Sequence, residues 1–122
     1  MALDEVLLAD GWTIAAIVSN GHCLAREYID SLQGSDHKRV NALIKRCAEQ
    51  GPPSNREKTK KIGGDLWELK SYQARLPFFR DGPARIVITH GFTKKADDIP
   101  PSEITRAKRL MDEYRSARRR QT

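Results

Sequence analysis

Trp12, Ile14, Ala16 and Val18 alternate with Thr13, Ala15 and Ile17, a period of two that predicts a first strand after a short, weakly amphipathic leader. Ser19-Asn20-Gly21 is a turn signal that ends it. Leu24, Tyr28, Ile29 and Leu32 then fall at helical spacing, with Gln33-Gly34 as the stop. A second and clearer helical stripe follows in Val40, Leu43, Ile44, Cys47 and Ala48. Ser35 or Asp36 is its expected cap, and Gly51-Pro52-Pro53 its end.

Residues 52–65 lack apolar periodicity and carry Arg56, Lys58, Lys60 and Lys61, so they read as a basic loop, with two helical turns around 57–61 left open. From Leu66 the period returns to two. Trp67 and Leu69 share one face of a strand, and Leu66, Glu68, Lys70 and Tyr72 the other. Gln73-Ala74 is the expected turn into a strand over 75–80, and Asp81-Gly82-Pro83 the turn into a strand over 85–92, giving an antiparallel meander. Pro77 lacks a ladder donor, so it is expected at an unpaired position or a bulge. After a loop over 93–101, Ser102 is the expected cap of a last helix. Ile104, Ala107, Met111 and Tyr114 make its apolar seam, widened by Leu110. The pattern is that of an α+β fold in which an N-terminal strand and two helices pack on an antiparallel sheet, followed by a C-terminal helix. A length of 122 residues fits one domain, with a core of about 12–114 and a basic tail over 115–122.

Charge changes this picture most. The chain carries +6, but residues 1–37 hold Arg26 against six acids, a local charge of −5 that leaves +11 for the remainder. Clustered cations raise the local concentration of anions, so the basic part reads as a working surface for phosphate backbones, with anionic membranes a weaker candidate. The longest apolar run, Ile14 to Val18, is far short of a bilayer span, and the acidic Asp4-Glu5 start does not suit a signal peptide. A cytoplasmic location is expected.

Other chemistries find little support. Cys23 and Cys47 form no CxxC pair and read as small buried hydrophobes; with His22 and His37 they match no zinc spacing. There is no Walker loop, dinucleotide fingerprint or obvious acidic magnesium cluster, so no cofactor is expected. His90 has the unperturbed pKa of a proton carrier, but its parity with Ile86, Ile88 and Phe92 favours a structural histidine. Glu68 reads as a candidate base or as the partner of Lys70. By composition alone Lys70 and Arg75 read as an exposed charged face. Lys94 and Lys95 fit RNA grip and plain solubility equally well. Tyr114 continues the core seam, whereas Tyr72 is open to a base-stacking role.

Gly51-Pro52-Pro53, the run Gly64-Asp65-Leu66-Trp67-Glu68-Leu69-Lys70, Arg75, His90-Gly91-Phe92-Thr93-Lys94-Lys95, Ile99-Pro100 and the helix with Glu103 and Ala107 form an ordered series. It resembles the HigB-like, phage-protein-related branch of the RelE/ParE toxin superfamily over roughly residues 12–114. The resemblance implies a RelE-like fold and the toxin of a bacterial type II toxin–antitoxin pair. It implies an endoribonuclease that cuts messenger RNA in the ribosomal A site, with a HigA-like helix-turn-helix antitoxin as partner and no need for a metal. It further implies that Arg75 stabilises phosphate, that Lys70 lies on the strand supplying catalytic lysines, and that Lys94 and Lys95 belong to the basic loop, so that Lys70, Arg75 and Lys94 are the candidate catalytic residues and Lys95 a candidate to hold RNA. Lys58, Lys60, Lys61, Arg118 and Arg119 are then candidates to hold RNA. Gyrase inhibition, as in the ParE branch, and an inactive phage descendant that keeps RNA or antitoxin binding are the alternatives on the same scaffold.

Overall fold

The structure, a computed structural model, describes residues 3–9, 12–95 and 98–121. Residues 96 and 97 of the expected 93–101 loop, and residue 122 of the tail, lie outside them. The segment expected to be a leader is a strand, β1 (Leu3–Ala9), paired antiparallel with β2 (Thr13–Ser19). Asn20 and Gly21, at φ +53° and +81°, make the two-residue turn that suits the right-handed twist of a hairpin, returning the chain into β3 (His22–Cys23).

The two helices form as expected, α1 (Leu24–Ser31) and α2 (Gly34–Gln50). The cap of α2 differs: Gln33 takes that position without a side-chain bond, and Ser35 and Asp36 lie within the first turn. Asp36 there still opposes the positive end of the helix dipole.

The basic stretch expected to be a loop contains a strand, β4 (Thr59–Gly63), held at the sheet edge by pairing with β5 (Leu66–Ser71). Its backbone donors and acceptors are satisfied by a neighbouring strand, which apolar periodicity does not report. Strand β6 (Ala74–Arg80) pairs antiparallel with β5 through a turn at Tyr72-Gln73, one residue earlier than expected, with Tyr72 at φ +56°.

The strand expected over 85–92 is broken into β7 (Arg85–Ile88) and β8 (Phe92–Thr93), which pair with the two ends of β6. Pro77 faces this break: its carbonyl accepts the Thr89 backbone N–H at 2.9 Å. Carbonyl and amide of one extended residue point the same way, so the missing Pro77 donor falls where the ladder is interrupted. One pair departs from the antiparallel expectation, since β2 runs parallel to β7 and completes the order β1-β2-β7-β6-β5-β4.

The last helix, α3 (Pro101–Gln121), starts one residue before the expected cap, with Pro101 at its first position, where a missing N–H costs little. Ser102 therefore lies inside the helix. Each face of the sheet has its own core. Ile14, Leu69, Leu76, Phe78, Ile86 and Ile88 pack under α1 and α2, while Leu66, Phe79 and Val87 pack under Ala107, Leu110, Met111 and Tyr114 of α3. Phe79 and Tyr114 meet edge to face at 5.6 Å between ring centroids. Both cysteines are free; Cys47 is buried, which pushes its thiol up to about 11, and Cys23 is half-buried.

Candidate functional site

Register assembles the site. Residues directly opposite in a ladder point to one face, as do positions i and i+2 of a strand. Lys60 stands opposite Glu68, Lys70 opposite Arg75, and Arg75 opposite Phe92. Lys60, Glu68, Lys70, Arg75 and Phe92 therefore share the α3 face of the sheet. Lys58 joins through its carbonyl, which accepts the Lys70 N–H at 2.7 Å, and the Lys94 N–H donates to Gln73 O at 2.7 Å at the same end.

At the centre is a buried ion pair. Glu68 is 1% exposed and Arg75 8%, and Nε of Arg75 lies 3.7 Å from Oε1 of Glu68. That contact is electrostatic and too long for a hydrogen bond. Glu68 Oε2 and Arg75 Nε have no hydrogen-bond partner among the described residues. Burial pushes the Glu68 carboxyl above its usual range, against the opposing pull of Arg75, Lys60, Lys70 and Lys94. Arg75 Nη1 donates to the carbonyls of Tyr72 and Ala74, so this arginine also braces the turn in which Tyr72 holds its positive φ.

His90 is 1% exposed, and its ring stacks on Phe92 with centroids 5.7 Å apart. Its Nδ1 lies 3.0 Å from Thr89 Oγ1 and its Nε2 3.3 Å from Glu103 Oε1. Since a carboxylate only accepts, the neutral ring donates from Nε2 to Glu103 and accepts at Nδ1 a hydrogen bond from the Thr89 hydroxyl, which also lies 3.3 Å from the Pro77 carbonyl. Burial lowers its pKa, with Glu103 acting in the opposite sense. The expected parity with Ile86 and Ile88 does not survive the break at 89–91. Those isoleucines face the helical hairpin, whereas His90 is tied to α3.

The remaining candidates divide. Lys61 lies on the other face, opposite Trp67, with its ammonium 5.9 Å from that ring's centroid. Lys95 is exposed just beyond Lys94. Arg118 lies at the far end of the sheet, 3.9 Å from Asp81, about 20 Å along β6 from Arg75, and Arg119 contacts Ser116. Neither joins the Lys70–Arg75 cluster.

Three contributors escaped the sequence reading. The Tyr28 hydroxyl and Thr93 Oγ1 are 2.9 Å apart, pinning β8 to α1. Arg39 of α2 lies 4.0 Å from the centroid of the Tyr72 ring, which is 66% exposed. Gly91, beside His90, leaves room for Tyr28 and Leu76; a Cβ there would lie 2.9 Å from Leu76 Cδ2. All are pairings between distant segments, which no local spacing announces.

The model of the family described as Phage derived protein Gp49-like (DUF891) matches residues 27–112, more than half of the chain. The chain belongs to this family. Gp49-like proteins are a toxin-like family related to RelE and HigB. The match spans every residue of the Glu68–Arg75 cluster, the whole of α2, and parts of α1 and α3. It stops short of Arg118 and Arg119. A comparison with curated proteins gives no match. Among the described residues, no helix of this Gp49-like protein is long and apolar enough to cross a membrane.

Proposed function

We propose that this Gp49-like protein is the toxin of a type II toxin–antitoxin pair. In this reading it is a HigB/RelE-like endoribonuclease that cuts translated messenger RNA in the ribosomal A site of a bacterial cytoplasm. A HigA-like helix-turn-helix antitoxin is its partner. The observation that carries the reading is the direct pairing of Lys70 with Arg75, flanked by Lys60 and Lys94 on one accessible end of the sheet.

In the proposed reaction the ribose 2′-oxygen attacks the adjacent phosphorus. The bond from phosphorus to the 5′-oxygen of the next nucleotide breaks, leaving a 2′,3′-cyclic phosphate and a 5′-hydroxyl. The proton lost by the 2′-hydroxyl is balanced by the one gained at the leaving oxygen, and the cations of the site are assigned the stabilisation of the phosphoryl charge. Lys70 offers a compact charge to the phosphoryl oxygens and Lys94 a second cation from the loop, while Arg75, mostly buried with Nη1 on the Tyr72 and Ala74 carbonyls, reaches them through Nη2 alone. Glu68 orients Arg75. At 1% exposure, Glu68 and His90 act in positioning rather than by contact with RNA. Alignment of the 2′-oxygen is then the contribution of the ribosome-bound substrate.

The test is a translation reaction programmed with one message and supplemented with the purified chain. Cleavage products ending in 2′,3′-cyclic phosphate are expected, with cutting lost when the scissile nucleotide is 2′-deoxy. Cutting that persists on the 2′-deoxy message would contradict the mechanism. Inhibition without any cut would contradict the nuclease assignment.

A further inference from the structure

Trp67 is left unused by the cationic cluster. It is 38% exposed on β5, on the face opposite Glu68 and Lys70. With Phe78, Pro52, Pro53 and Arg80 it lines a cavity of about 260 Å³, below the size of a drug-sized ligand site and suited to one planar ring system. A second groove, of about 610 Å³, runs beside it over edge strand β4 and is lined by Arg56, Lys60, Lys61 and Lys70. Ser54, Thr59 and Trp67 belong to both cavities. A cationic track thus leads from Lys70 round the sheet edge to an aromatic wall. Trp67 stands three positions from Lys70, about 10 Å along the strand.

We infer that the Trp67 cavity is a base-stacking pocket for single-stranded RNA, occupied by a nucleobase whose strand follows the Lys60–Lys61–Lys70 groove over the β4 edge. The inference rests on the RNA reading above and adds a second contact on the opposite face of the sheet. Charge complementarity selects the occupant, because four cations line the approach while the pocket itself is walled by Trp67, Phe78 and two prolines, with Arg80 a fifth cation in its lining. A π-face stacks on any base, so the pocket adds affinity with little sequence preference.

The probes are a short mixed-sequence RNA made 2′-O-methyl throughout, which cannot undergo 2′-oxygen attack, and an abasic strand of the same length. Binding to the full chain is followed by anisotropy and by tryptophan emission, with Trp67→Phe reporting the contribution of Trp12 alone. The base-bearing strand is expected to quench Trp67, Trp67→Ala to weaken it about tenfold and Trp67→Phe to recover most of that loss. The abasic strand should bind the wild type and Trp67→Ala alike. Equal affinity of the base-bearing strand for wild type and Trp67→Ala, or equal loss for both strands, would overturn the pocket. If the base-bearing strand binds through the lysines without Trp67, the pocket alone falls; if neither strand binds the wild type, the RNA reading falls with it.

Discussion

Glu68 and Arg75 meet as a buried pair with 3.7 Å between Oε1 and Nε, on the sheet face that also carries Lys60 and Lys70. The elevated pKa of Glu68 says that desolvation outweighs attraction at the carboxylate. Removing either partner leaves the other as a buried charge without compensation. Glu68→Gln and Arg75→Leu should each cost about 3 kcal/mol in denaturant unfolding.

The sign of the pH effect follows from the same shift. A carboxyl whose folded pKa is raised binds more protons folded than unfolded, so it removes stability as pH rises from its unfolded value through its folded one. Arg75→Leu should steepen that loss. Urea unfolding at pH 5 and pH 8 checks it, with a larger gap between the two pH values in the variant than in the wild type.

His90 acts in the opposite direction. Its lowered folded pKa means that stability from the neutral buried ring is fully present above the unfolded value of about 6.5 and is lost as pH falls through the folded pKa. His90→Gln should remove this component. The wild-type-minus-variant difference in urea midpoint should shrink below pH 6.5; an unchanged difference would show that His90 does not titrate with folding.

Phe79 is fully buried under α3 and set against Tyr114. Phe79→Ala should cost about 3–5 kcal/mol in denaturant unfolding, because it removes ring burial and leaves a cavity between sheet and helix. A loss below 1 kcal/mol would show that α3 is not anchored there.

Gly91→Ala tests the join between β8 and α1. The added Cβ must displace Tyr28 or Leu76, and a stability loss of about 1–3 kcal/mol is expected. Tyr28→Phe, which removes the bond to Thr93 without adding bulk, should cost about 1 kcal/mol.

Much of this architecture was legible along the chain. The stripe Val40 to Ala48 buries as its spacing requires, and so does the last-helix seam from Ala107 to Tyr114, though Ile104 at its expected start is only half-buried; the Asn20-Gly21 turn and the Lys70–Arg75 juxtaposition follow from local signals. What escaped depends on pairing between strands, near or distant in the chain, rather than on spacing within one segment. Thr59–Gly63 is a strand because β5 lies alongside, and 85–92 breaks at Thr89 because β6 presents Pro77 there. Glu68 read as a candidate base or the partner of Lys70, whereas it is buried against Arg75. Alternation gives no sign of this, since Trp67, its neighbour on the opposite face, is the more exposed of the two.

The central claim is tested most directly by primer extension on messenger RNA from cells briefly expressing the wild-type chain, beside Lys70→Ala/Arg75→Ala at equal soluble abundance. Losing such charge-stabilising donors costs on the order of 10² or more in rate. The account predicts new cuts within translated frames that disappear in the double variant. Growth arrest without cuts, or cuts that survive the double substitution, would contradict it.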